Sequence, residues 1–176
     1  MCGVLIIHSK NKVKLNREKC FSAAKKLFNR GPDKYKSNFF RNSTLFISNT
    51  VLSITGSQPE DKNLEKSLSG NYVISFNGQI YNYKDLNNNY KLFNKNNISD
   101  TKVLVNLYDK ISHNLIPRKL NGMFAYVIFD KKKDKLKIIN DPQGEKNLYY
   151  YNDQNFFIIS STINAILSFI NDYSLN

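Results

Sequence analysis

Met1-Cys2-Gly3-Val4-Leu5-Ile6-Ile7 opens the chain, and its second residue decides the reading. Removal of Met1, which the small Cys side chain permits, leaves one residue carrying both a thiol and a free α-amino group. An α-amine has a reference pKa of roughly 7.7 to 8.0 and a thiol about 8.5, so both titrate near working pH. That is a nucleophile with its base in the same residue, and it needs no His partner. The alternative is a chance Cys at the head of a core strand, because Val4 to Ile7 is a β-branched and aliphatic run. The rest of the chain has to choose between the two.

At 176 residues the chain has the length of one ordinary domain, enough to bury a real core. Its 41% hydrophobic and 23% charged residues are those of a globular protein, not a disordered or fibrous one. Cys2 and Cys20 are too few and too oddly placed for a disulfide scaffold or a zinc site, so no metal is expected and a reduced, cytoplasmic setting fits best. The first apolar run ends at His8 with no basic leader before it, so it does not read as a signal peptide. No stretch of roughly 18 apolar residues exists to span a membrane. The net charge of +12 raises the question of nucleic acid. Its Lys residues are spread along the chain, however, and the knot Lys131-Lys132-Lys133 sits between Asp130 and Asp134 as a hairpin tip. Solvated surface is the preferred reading over a nucleic-acid patch.

Working outward from the N-terminal strand, Glu18 to Phe28 places Cys20, Phe21, Ala24, Leu27 and Phe28 on one face of a helix, and Arg30-Gly31-Pro32-Asp33 stops it. Strands are expected at Thr44 to Ser48, around Val51 to Ile54, and at Tyr72 to Phe76, the last broken by Asn77-Gly78. Ser99-Asp100 forms the cap region of a second helix, Thr101 to Ile111. Strands follow at Met123 to Phe129, Lys135 to Ile139, Leu148 to Tyr151 and Phe156 to Ser160, then a short helix, Ile163 to Ile170. Asn87 to Asn97 is the one biased stretch. Many strands with few, irregularly interspersed helices predict an α+β layered domain.

Five segments in order then resemble the N-terminal glutaminase domain of glutamine-hydrolysing asparagine synthetases, which are class II amidotransferases of the N-terminal-nucleophile (Ntn) hydrolase superfamily. They are Met1-Cys2-Gly3, Arg30-Gly31-Pro32-Asp33, Phe76 to Tyr83, Ser99-Asp100-Thr101, and the pair Leu120 to Tyr126 with Asp141 to Tyr150. The resemblance implies a four-layer αββα sandwich formed by residues 1–176 as a single domain. It implies that Cys2 attacks the side-chain amide of glutamine or a related carboxamide, with Asn77 and Gly78 as oxyanion donors. For Asn77 the alternative is a plain turn residue. Asp100 is the position that holds the substrate's ammonium group in the family, and a helix N-cap is its other reading. Arg30, Val51, Leu52, Ile54 and Gln79 fall at the remaining substrate-binding positions. For Arg30 the alternative is a surface residue at a helix end. His8 and His113 match nothing catalytic.

The departures are as informative. The family's Arg-Leu-Ser-Ile segment, whose Arg grips the α-carboxylate of glutamine, reads Val51-Leu52-Ser53-Ile54 here. Valine cannot replace a bidentate guanidinium. Three outcomes stay open: another cation such as Arg41 substitutes, the substrate lacks the carboxylate, or the domain is a catalytically degenerate or re-purposed scaffold. Asn29, Asn147 and Thr162 also depart from the usual His, Pro and Glu. The Ser-Gly-Gly-x-Asp-Ser loop with which the family's other half binds ATP does not occur in these 176 residues. No cofactor is therefore expected in this domain, ATP and Mg²⁺ belonging to an absent synthetase half. The ammonia is expected to go to a synthetase domain or partner protein.

Overall fold

A computed structural model describes residues 2–52, 64–94 and 98–170. It divides into two compact units, Met1–Leu64 with Asn147–Asn176, and Glu65–Lys146. Both are α+β, each built on one antiparallel sheet.

The first unit contains β1 (Gly3–Ser9), α1 (Arg17–Lys25), β2 (Lys34–Phe40), β3 (Leu45–Val51), β8 (Tyr149–Asn152), β9 (Phe156–Ser160) and α5 (Ile163–Ile170). Its sheet runs β2-β3-β1-β9-β8. The N-terminal strand is central, paired with β3 on one side and β9 on the other. Val4 to Ile7 are all fully buried, which is why this strand reads as an unbroken apolar run and not as an alternation. Leu5, Ile7 and Phe46 meet Cys20, Ala23, Ala24 and Leu27 of the α1 region and Ala165, Ile166 and Phe169 of α5 on one face of the sheet. Asn16 caps α1, its side chain accepting from Lys19 N–H at 3.0 Å. The helix ends at Lys25, short of the expected Phe28, which lies in a single 3₁₀ turn, Phe28–Arg30.

In the second unit the sheet runs β4 (Glu65–Lys66), β5 (Tyr72–Ile80), β6 (Gly122–Asp130), β7 (Lys135–Asn140). Helices α2 (Tyr83–Tyr90), α3 (Asp100–Lys110) and the four-residue α4 (Ile116–Lys119) complete it. Ile74, Phe76 and Ile80 pack with Leu86 of α2, and with Val103, Leu104 and Leu107 of α3, in one core. Within it the Tyr108 and Tyr126 hydroxyls meet at 3.1 Å.

One expectation fails here. Asn77-Gly78 does not end a strand, because β5 continues to Ile80 with Asn77 opposite Ala125 and Gly78 opposite Phe124. Long-range pairing with β6 overrides the local turn preference. The separate strand expected around Val51 to Ile54 is, up to Val51, the end of β3, and Ile54 lies outside the described residues. No helix of the described residues is long and apolar enough to cross a membrane.

Candidate active site

Cys2 is half-buried at the head of β1, and three elements clamp the backbone beside it. Arg30 Nε donates to the Cys2 carbonyl at 3.1 Å. Asn49 Nδ2 donates to the Gly3 carbonyl at 2.7 Å, and Val4 N–H donates to Ser161 Oγ at 3.0 Å. The Arg-Gly-Pro-Asp run is thus a brace and not merely a helix stop. Pro32 bridges to Val51, and a Cβ on Gly31 would stand 2.6 Å from the Val51 nitrogen, so only glycine lets this loop lie against β3. Gly3 is packed as closely, since a Cβ there would meet Thr50 Oγ1 at 2.5 Å and Leu27 Cβ at 3.0 Å. Sequence reasoning singled out Arg30 through its motif but missed Asn49 and Ser161, whose places beside Cys2 depend on strand register.

Val51 ends β3, half-buried, with Leu52 directly after it. The suggestion that Arg41 stands in for the missing guanidinium is not upheld. Arg41 lies in the β2–β3 turn with Nη1 3.0 Å from His8 Nε2, and His8 is at the far end of β1 from Cys2.

In the second unit Asn77 is 1% exposed, and its Nδ2 has no hydrogen-bond partner among the described residues. Ile74, Phe76 and Ile80 face the helices, so alternation puts Asn77 on the opposite face of β5. Its neighbour Gly78 has φ of +154°, and a Cβ there would collide with the Met123 carbonyl and stand 2.6 Å from Phe124 Cα. Glycine is therefore required by the fold itself, independently of any ligand.

The direction of the Gly78 N–H follows from the ladder. Its partner Phe124 turns both backbone groups towards Asp141, donating to Oδ2 at 3.1 Å and accepting from the Asp141 N–H at 2.8 Å. Gly78 and Phe124 are then a non-hydrogen-bonded pair, and the Gly78 N–H points away from β6. Ile80 N–H, on the same edge by alternation, donates to Asp100 Oδ2 at 3.0 Å. β4 pairs with β5 only through Glu65–Ile74 and Lys66–Val73, so among the described residues no strand covers Gly78 on that edge. Gln79, the next residue, is exposed.

Asp141 also binds the N–H groups of Glu145 at 3.0 Å and Lys146 at 3.3 Å, which folds the Asp141-Pro142-Gln143-Gly144 loop around one carboxylate. Burial opposes ionisation of Asp141, and these N–H groups overcome it, so it titrates below the ordinary carboxylate range.

The N-cap of α3 is Ser99, whose Oγ accepts from Lys102 N–H at 3.2 Å. Asp100 is the first helical residue and not the cap. Its carboxylate accepts from Ile80 N–H and, at 2.7 Å, from Thr101 N–H. Burial raises its pKa above the ordinary value against the pull of those donors. A carboxylate held this way is charged reluctantly and gains from a cation. The other thiol, Cys20, is fully buried, and burial pushes it up to about 12 despite the nearby Arg17 charge. Among the described residues no group of three or more His, Cys, Asp or Glu could hold a metal ion.

With this geometry in place, comparison with known proteins is direct. The family model described as a glutamine amidotransferase domain matches residues 1–174. A Methanocaldococcus jannaschii protein provisionally named asparagine synthetase [glutamine-hydrolyzing] 2 is 33% identical over 96% of this chain and 35% of its own length. Asparagine synthetase [glutamine-hydrolyzing] 1 of Saccharomyces cerevisiae is 30% identical over 85% of this chain and 25% of its own. The chain thus spans about a quarter to a third of these relatives. The solved structure of the glutamine phosphoribosylpyrophosphate amidotransferase from B. subtilis superposes with a TM-score of 0.68 at 20% identity, covering 94% of this chain and 43% of that one, and it supports the fold.

Proposed function

The chain belongs to the glutamine amidotransferase domain family, and on that premise we propose that it is a glutaminase domain of the asparagine-synthetase type, hydrolysing glutamine to glutamate and ammonia through a Cys2 thioester. The two units together are read as that one domain. The thiol of Cys2 adds to the side-chain amide carbon, and its proton passes through the Cys2 α-amine to the departing nitrogen. Collapse of the tetrahedral intermediate breaks the C–N bond, releases ammonia and leaves the thioester. Water adds to the thioester carbonyl, and breaking the C–S bond frees glutamate and restores the thiol. By resemblance to the family, Asn77 Nδ2 and the Gly78 N–H are taken as the oxyanion donors and Asp100 as the partner of the substrate's ammonium group. Arg30 holds the Cys2 carbonyl, and Asn49 and Ser161 hold the backbone of Gly3 and Val4 behind it.

The observation that carries this reading is the buried, unpartnered amide of Asn77 beside the edge-directed N–H of Gly78. A buried donor left unsatisfied costs about 1 to 3 kcal/mol, which is a reason to look for a ligand there. The domain itself needs no ATP or metal in this reading, and its ammonia passes to a synthetase domain or protein in the cytoplasm. The test is glutamate and ammonia release by chain with mature Cys2 compared with Cys2→Ala. Equal rates would sink the proposal.

Val51 favours a second reading, a scaffold that has stopped using glutamine. Titration of glutamine into Cys2→Ala protein separates the two, since absence of binding by a folded protein supports the scaffold.

A further inference from the structure

We propose that Lys34 grips the α-carboxylate of the substrate, doing at the start of β2 what no side chain does at Val51; the inference rests on the glutaminase reading above. Glutamine is a zwitterion, so a site with a carboxylate for its ammonium group also needs a cation for its carboxylate. Strand register identifies the candidate. Gly3 pairs with Thr50, so extending the ladder by one residue sets Cys2 opposite Val51. On the other side of β3, Val51 pairs with Lys34. Cys2, Val51 and Lys34 therefore form one row across β1, β3 and β2.

The three side chains also share a face. Leu5, Ile7 and Phe46 pack on the helices, as do Tyr35 and Phe39 of β2. Alternation turns Cys2 and Val51 to the other face, with Lys34 beside them. Strands stand about 4.8 Å apart, so the Lys34 Cα is about 10 Å from that of Cys2. That leaves room for the four-carbon stem of lysine and the side chain of glutamine between ammonium and thiol. Valine in the middle of the row is short and apolar, and it leaves the path open.

The other cations are worse placed. Arg30 sits behind the nucleophile with Nε on the Cys2 carbonyl. Arg41 is at the opposite end of the sheet with His8. Lys36 is on the same face but pairs with Asn49, two residues farther along β3.

The test measures glutaminase kinetics of the full chain with two substrates, glutamine and glutamine α-amide, which lacks the carboxylate. Lys34→Ala should raise KM for glutamine about tenfold to a hundredfold, with a smaller change in kcat and little change in kcat/KM for the α-amide. Val51→Arg added to Lys34→Ala should restore the glutamine KM, which separates a lost cation from a damaged fold. Lys131→Ala, an exposed charge in the β6–β7 turn, controls for net charge. An unchanged glutamine KM in Lys34→Ala, or an equal loss with both substrates, overturns the proposal. If glutamine turnover proves independent of Cys2, the glutaminase reading fails, and the clamp is judged by titrating glutamine into Cys2→Ala and into Cys2→Ala/Lys34→Ala. A weaker second binding upholds the clamp; equal binding, or none in either, refutes it.

Discussion

Truncating Asn77 to alanine should separate catalysis from stability, because its amide nitrogen is buried and has no hydrogen-bond partner among the described residues. For an ordinary buried Asn, truncation strands its partners and costs about 1 to 3 kcal/mol for each buried group left unsatisfied. Here the Nδ2 group is itself the unsatisfied one, so truncation removes a desolvation penalty of that same size. The loss of packing from deleting a carboxamide works in the opposite direction and is of similar magnitude. The net change in stability is predicted to lie within about 1 kcal/mol of zero, or roughly 2 to 4 °C in melting temperature for a chain of this length. Activity should behave differently, since removal of one oxyanion donor costs about 10²- to 10³-fold in kcat. The assay is glutamate release at saturating glutamine alongside a calorimetric melt. A melting temperature lowered by 8 °C or more with kcat within threefold of the parent, thresholds set at about twice and well below the expected shifts, would show a structural Asn77 and refute the reasoning.

The remaining predictions concern separate groups. Mild alkylation of native protein should modify Cys2 and spare Cys20, whose thiol is buried and pushed up to about 12; peptide mapping that finds Cys20 labelled before unfolding contradicts this. Asp100 titrates above the ordinary carboxylate range, and only its ionised form pairs with an ammonium group. Affinity for glutamine should therefore fall as pH is lowered through that raised pKa, and the same KM profile in Asp100→Asn would show another group responsible. Asp141 has the opposite sign: its folded pKa is depressed, so its contribution to stability is present above the unfolded value and lost as pH falls through the folded one. Asp141→Asn should flatten the acid limb of the stability curve, and unaltered acid unfolding counts against that assignment. Gly78→Ala should cost about 2 to 5 kcal/mol from the clash with β6 and the positive φ, measured by urea unfolding, whereas a cost below about 1 kcal/mol would mean the strand relaxes freely.

Where the sequence carried a periodic pattern, it was legible. The apolar run at Val4 to Ile7, the one-sided helix α3 and the strands β6, β7 and β9 were all expected close to where they lie. The unrecognised elements have weak local signals. β2 is an edge strand, half-buried along its whole length, and its start is masked by the preceding Gly31-Pro32 turn signal. α2 contains Asn87, Asn88 and Asn89, poor helix formers, and Leu86 is its single buried residue; packing of Tyr83 and Tyr90 on the core compensates. The motif residues could be identified, but what each one does could not. Asn77-Gly78 reads as a turn in any short window, and only its pairing with Ala125 and Phe124 shows it to be strand. Lys34 carries no motif at all, and it gains meaning only from standing opposite Val51.

The role proposed for Cys2 raises a physical difficulty, because residues near a chain end fray unless tied down, and catalysis tolerates little positional error. The answer in this fold is to make the terminal strand the middle of its sheet. β1 has β3 on one side and β9 on the other, so its backbone groups are bonded along both edges. Clamps at Cys2, Gly3 and Val4 extend that order to the last residues, drawn from the 3₁₀ turn, β3 and the segment after β9. Each clamp is more than twenty residues away in sequence, so Cys2 is placed only when the whole unit has folded. Retained Met1 would turn the Cys2 α-amine into an amide, which has no useful basicity. The same packing that fixes Cys2 therefore makes its exposure as the first residue a condition for the thioester chemistry proposed.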